Sequence, residues 1–157
     1  MLELGAGTGV LGALCAQLGA SQVTITDLEV VVPLLELNLL LNFASGTTEG
    51  GKGGETNSPQ SATPVAMALP WGEPLSPQIT ARIGGLPAEC LLLCDVVYEP
   101  HLFPLLLATM AELCGPDTLI LLAYRRRNPD EWLFFERLAK VRRIQYYSNI
   151  IPLYTVL

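Results

Sequence analysis

Apolar residues in this chain fall into short blocks whose spacing switches repeatedly between strand-like and helical. Met1 to Leu4 reads as the end of a strand, closing at Gly5. Val23 to Asp27 (VTITD) is β-branched and short, which predicts a buried strand ending in a carboxylate. Between them, Thr8 to Leu18 has the helical period and stops at Gly19, a residue suited to the left-handed turn beyond a helix. Glu29 to Asn42 carries leucine and valine densely at helical spacing. That predicts a largely buried helix, with Pro33 in its first turn where the absent N–H costs little. Pro64 to Leu69, Glu89 to Cys94 (ECLLLC) and Thr118 to Ala123 predict three further strands, the second of which ends at Asp95. Leu102 to Leu113 and Asp130 to Lys140 predict helices, whereas Ser76 to Pro87 reads as irregular. Val141 to Tyr147 and Ile151 to Leu157 read as two last strands that turn at Ser148 and Asn149.

Five alternations of strand and helix, then two consecutive strands, predict an α/β fold: a doubly wound, mostly parallel sheet with a C-terminal antiparallel hairpin. One stretch departs from the pattern. Residues 45–64, SGTTEGGKGGETNSPQSATP, hold almost no apolar group to offset the entropy of ordering them. They predict a flexible insertion between a helix and a strand, and the alternation resumes beyond it, so residues 1–157 read as one domain.

Half of the residues are hydrophobic and 15% are charged, yet no run reaches the roughly 18 apolar residues of a membrane span. Glu29, Glu36, Asn38 and Asn42 interrupt the first long run, and Asp95, Glu99 and His101 the second. Nor does the chain open with the charged, apolar, small-residue order of a signal peptide. A soluble chain with no membrane partner is expected. The net charge of −6 argues against binding a nucleic-acid backbone, which needs clustered Lys and Arg. Arg125 to Arg127 and the pair Arg142–Arg143 read as solvated loop and helix-end charge. Cys15, Cys90, Cys94 and Cys114 form no C-x-x-C, and His101 stands alone. No metal site or disulfide framework is expected, but buried free thiols in a reducing compartment.

Chemistry concentrates at the front. In a doubly wound sheet, ligands bind beyond the carboxyl ends of the strands, beside the first one. Gly5, Gly7 and Gly9 lie there, where glycine permits a sharp turn and lets a ligand approach the backbone. The helix that follows offers free N–H groups. Asp27, about 20 residues on, suits a carboxylate that accepts hydrogen bonds from ribose hydroxyls. Two cofactor classes fit. From Gly7, GTGVLG satisfies the dinucleotide pattern G-x-G-x-x-G; from Gly5, GAGTG preceded by Glu3 satisfies E/D-x-G-x-G-x-G. The first leaves Gly5 and Ala6 awkwardly between the strand and its turn.

LELGAGTGVLG, VTITD, PWG and CDVVY, in that order, resemble the class I, seven-β-strand S-adenosylmethionine-dependent methyltransferases. Within them they are similar to the methyltransferase-like group of protein-lysine methyltransferases, which acts on targets such as valosin-containing protein and elongation factor 1A. The resemblance runs the length of the chain apart from residues 45–64. Its most specific element is D-x-x-Y, here Asp95-Val96-Val97-Tyr98, directly after the fourth strand.

The resemblance implies a Rossmann-like fold and transfer of a methyl group from S-adenosylmethionine to a lysine side-chain amine of a protein. A chaperone or ATPase-type target, and action in the cytoplasm and nucleus, follow from the same likeness. It implies that Gly5, Ala6 and Gly7 line the methionine and ribose part of the cofactor and that Asp27 holds the ribose hydroxyls. Trp71 would lie against the adenine, Cys94 would touch the cofactor where the group usually has alanine, and Asp95 and Tyr98 would face the sulfonium and the incoming amine. Trp71 as ordinary core, Asp95 as a cap of the next helix and Tyr98 as packing are the structural alternatives. A non-lysine acceptor, a non-catalytic binding module and, more distantly, a nicotinamide dehydrogenase are the functional ones.

The first strand, Met1 to Leu4, is shorter than the five or six residues expected. In the resembling group a segment precedes it and helps to cover the site. The expectation is therefore an N-terminally shortened domain, with weakened cofactor affinity and a tendency to associate through uncovered apolar surface.

Overall fold

The computed structural model of the protein describes residues 1–43 and 63–141. The expected insertion, apart from its last two residues, and the expected C-terminal hairpin lie outside the described residues. Five strands form one parallel sheet: β1 (Leu2–Leu4), β2 (Thr24–Asp27), β3 (Val65–Ala68), β4 (Cys90–Cys94) and β5 (Leu119–Ala123). Their order is β3-β2-β1-β4-β5, so the chain winds outward from β1 in both directions. That is the doubly wound sheet expected, and the reversal beside β1 creates its ligand crevice.

Strand alternation sorts the core into two layers. Leu2 and Leu4 of β1, Met67 of β3, and Leu91 and Leu93 of β4 point to one face. There they meet α4 (Phe103–Leu113) and α5 (Trp132–Leu138) through Phe103, Leu106, Met110 and Phe134. The rings of Phe103 and Phe134 meet edge to face, with centroids 5.4 Å apart. On the other face Val23, Ile25 and Ala66 pack with Ala16 of α1 (Val10–Gln17) and with Leu35 and Leu39 of α2 (Val32–Phe43).

Two helices differ from expectation. The second was expected to be largely buried, but only Leu35 and Leu39 of α2 are; Leu34, Leu37, Leu40 and Leu41 are 45–66% exposed. A helix resting on the margin of a sheet presents one narrow stripe to it, and composition alone does not reveal how many of its faces find neighbours. The stretch read as irregular contains α3 (Pro77–Arg82). Ser76 caps it, its Oγ accepting from the Ile79 N–H at 3.2 Å, and Pro77 opens its first turn. A Ser-Pro start was legible; six residues are too few to display a period. The last helix is preceded by a 3-10 turn, Pro129–Glu131, which Asn128 and Glu131 close as a reciprocal capping box. Among the described residues no helix is long and apolar enough to cross a membrane.

One glycine sets how closely α1 approaches the sheet. A Cβ on Gly12 would come within 2.6 Å of Glu3 Oε2 and 2.7 Å of Ile25 Cγ1. In an exposed helix Gly→Ala stabilises by about 1 kcal/mol. Here the overpacking reverses the sign, and Gly12→Ala is expected to destabilise by roughly 1–3 kcal/mol, measured as a lower urea midpoint at unchanged slope.

Candidate active site

The turn after β1 is built from backbone. Gly5, Gly7 and Gly9 all have positive φ, at 65°, 57° and 77°. The Ala6 N–H donates to the Thr26 carbonyl at 3.0 Å, which ties the turn to β2. Gly5 and Gly7 serve different ends. A Cβ on Gly5 would strike Val96 and Trp71 at under 3 Å, so this glycine is required by packing. A Cβ on Gly7 would meet nothing within 4 Å. It would stand in open space, as expected of backbone bared for a ligand.

Asp27 ends β2 with both oxygens engaged. Its Oδ2 accepts from the Gly7 N–H at 2.8 Å and its Oδ1 from the Leu28 N–H at 2.7 Å. It is thus the strut that sets the glycine turn, and each oxygen keeps further acceptor capacity. Glu3, which sequence reasoning used only to mark the motif, is buried on the same face. Its Oε2 accepts from the Gly12 N–H at 2.8 Å, so a donor expected to be free at the start of α1 is already taken. Burial, partly offset by that bond and reinforced by nearby Asp27, pushes the Glu3 carboxyl up to about 7. Carboxyl groups at the first turn of α1 suit a cofactor without phosphates better than a pyrophosphate.

Beyond the strand ends lies a cavity of about 540 Å³, within the range of small-molecule sites. Gly5, Ala6, Gly7, Asp27, Trp71, Cys94, Asp95 and Tyr98 all line it. Trp71 packs partly against the core and partly lines the cavity. Its neighbour Gly72 is pinned through its N–H to Thr109 Oγ1 at 2.8 Å. Cys90 and Cys114 are buried thiols as expected, but Cys94 is exposed at the end of β4. Tyr98 is 46% exposed and lines the cavity. Asp95 caps no helix: the 3-10 turn Pro100–Leu102 begins after Glu99, without a side-chain cap.

Asp95 has a partner that the sequence did not disclose. Its Oδ2 accepts a hydrogen bond from Arg127 Nη2 at 2.5 Å, so the carboxylate faces the cavity with one oxygen already paired. That pairing holds its carboxyl below the usual range, and Arg127, read as solvated charge, is exposed but paired. Leu28, Leu69 and Pro70, also unforeseen, line the cavity because they follow directly on β2 and β3. The strand-end rule would have found these three. Leu102 and Leu105 arrive from the start of α4, which no local signal foretold.

A family model described as lysine methyltransferase matches residues 1–141. The chain belongs to this lysine methyltransferase family. It is 36% identical to protein N-lysine methyltransferase METTL21A of Danio rerio, over 95% of this chain and 61% of that protein. It is 31% identical to protein-lysine N-methyltransferase EFM6 of Saccharomyces cerevisiae, over 89% and 55%, and 33% identical to EEF1A lysine methyltransferase 3 of Xenopus tropicalis, over 98% and 54%. The chain therefore spans between half and about three-fifths of the length of these relatives.

Family membership implies S-adenosylmethionine as methyl donor. The residues present fit it: open space over Gly7, a strand-end carboxylate with spare acceptor capacity, a tryptophan wall and a cavity of suitable size. Asp27→Ala removes the strut and the acceptor together. It is expected to weaken binding of S-adenosylhomocysteine at least tenfold by calorimetric titration, a loss of about 1.4 kcal/mol or more.

Glu3 makes stability depend on pH. Folding raises its carboxyl from 4.5 to about 7, so the native state holds the proton more tightly and stability falls as pH climbs between those values. Glu3→Gln keeps an acceptor for Gly12 without the charge. Relative to the parent chain, it is expected to gain on the order of 2–3 kcal/mol between pH 4.5 and 8, read from urea unfolding at each pH.

Proposed function

We propose that this chain carries the catalytic unit of an S-adenosylmethionine-dependent protein-lysine N-methyltransferase. The observation that carries the reading is the convergence, in one cavity, of the glycine turn, Asp27 and Trp71 on one side with Asp95 and Tyr98 on the other. The relatives, each named as a protein-lysine methyltransferase, support it.

When bound, the donor supplies an electrophilic methyl group that passes to the amine nitrogen as the carbon–sulfur bond breaks and sulfur keeps the electron pair. The chain's own contribution is mainly position. Asp27 and the Gly5–Gly7 turn hold the nucleoside end, and Trp71 forms a flat apolar wall for its base. Asp95 orients the acceptor amine through a hydrogen bond, while Tyr98 narrows the approach and excludes water. Placing donor and acceptor in line can supply several kcal/mol of the barrier.

The amine must be neutral to attack, and a lysine amine has an ordinary pKa near 10.4. Asp95, held ionised by Arg127, is a weak base and an effective hydrogen-bond acceptor. The proton therefore leaves to solvent before attack. The initial rate is expected to rise about tenfold per pH unit below the amine's pKa.

Transfer of tritium from labelled S-adenosylmethionine to proteins of a cell lysate tests the reading. A labelled band whose label resides on lysine, lost at least tenfold with Asp95→Asn, is expected. Binding of S-adenosylhomocysteine with no labelled protein would favour the non-catalytic binding module. The acceptor's class, a chaperone or ATPase as the sequence resemblance implies or elongation factor 1A as two relatives are named for, is decided by identifying the band.

A further inference from the structure

Asp95 adopts φ of 60°, a left-handed conformation uncommon outside glycine. Two anchors hold it there. Its N–H donates to the Ala123 carbonyl at 2.7 Å, at the end of β5. Its Oδ2 accepts from Arg127, four residues farther along the same loop, at 2.5 Å. Oδ1 accepts no hydrogen bond from the described residues, and Asp95 lines the cavity.

Arg127 is itself fixed. Its N–H donates to Oε1 and Oε2 of Glu131 at 3.2 and 3.1 Å, and the Asn128 N–H donates to Oε1 at 3.0 Å. Glu131 is buried, 1% exposed. A buried carboxylate thus spends its acceptor capacity on the backbone that presents one arginine. The Asn128 bond to Glu131 is also part of the capping box of the last 3-10 turn, but the Arg127–Asp95 pair itself adds little to stability. The side chains of Arg127 and Asp95 are 46% and 49% exposed, and solvated pairs of this kind contribute between nothing and about 1 kcal/mol. The pairing makes sense as a means of setting the direction of a carboxylate.

We propose that Arg127 is a positioning residue for methyl transfer: it occupies Oδ2 of Asp95, fixes the plane of that carboxylate and leaves Oδ1 to receive the acceptor amine, with Glu131 setting the loop that presents it. The proposal rests on the reading of Asp95 as the acceptor-side carboxylate. Arg127 does not line the cavity, so its influence passes through Asp95. Lysine at this position keeps the charge but not the planar fork, so it restores the pairing in part.

The test measures initial rates of tritium transfer from S-adenosylmethionine to lysate proteins, together with S-adenosylhomocysteine affinity and a carbon-13 NMR titration of the Asp95 carboxyl. Arg127→Ala is expected to lower the rate at saturating donor tenfold or more. The KM for donor and the affinity for S-adenosylhomocysteine stay within twofold of the parent chain. The Asp95 titration moves to higher pH, and Arg127→Lys recovers part of both the rate and the titration. An Arg127→Ala protein that transfers label at the parent rate overturns the proposal. So does one that loses donor affinity in step with rate, or an Asp95 titration that does not move. A parent chain that transfers no label overturns the proposed function itself, a result distinct from transfer that is intact in both proteins.

Discussion

Leu4 pairs with Thr26 on one side and with Leu93 on the other, and the site follows from that double register. With both neighbours parallel and in step, Gly5 emerges level with Asp27 and Cys94. Asp27 in turn pairs with Ala68, which brings Leu69 to Trp71 to the same edge. Four chain segments far apart in sequence thus end their strands along one line. A slip of one residue in any one strand would turn that strand's side chains to the opposite face.

Three carboxylates near this line are given different tasks by their surroundings. Glu3 is buried, pinned to Gly12 and raised to about 7. Asp27 props the glycine turn and faces the cavity. Asp95 is half-exposed and held ionised by a guanidinium. Desolvation acts on the first and an opposite charge on the last. Carboxyl groups within a single sheet edge are therefore set in three different states: buried and pinned, bound to a backbone turn, and paired with a guanidinium.

Apolar surface is unevenly covered among the described residues. The face carrying α4 and α5 encloses a continuous core. The face carrying α1 and α2 buries only a narrow stripe of each helix, and Val10, Leu14, Leu18, Leu40 and Leu41 stand exposed. Leu102 and Leu105 reach the cavity from the start of α4, which belongs to the better-packed layer.

The five described strands, their parallel doubly wound order and the glycine turn were legible in the amino-acid sequence, because each depends on a local signal; Trp71, Cys94, Asp95 and Tyr98 came from the family resemblance, and the fold places them with Gly5, Ala6, Gly7 and Asp27 along one cavity. Apolar runs mark strands, alternation with helices dictates parallel pairing, and functional residues follow strand ends. Tertiary structure alone decided the rest. Arg127 stands 32 residues from Asp95, and nothing in a basic triplet tells which member will meet a carboxylate. Glu3 looked like a motif marker until α1 folded over it, and α2 looked like core although among the described residues only its inner stripe is buried. Periodicity encodes which side of an element is apolar; only the packed fold determines what stands opposite, because partners separated in sequence are brought together by register and layer contact.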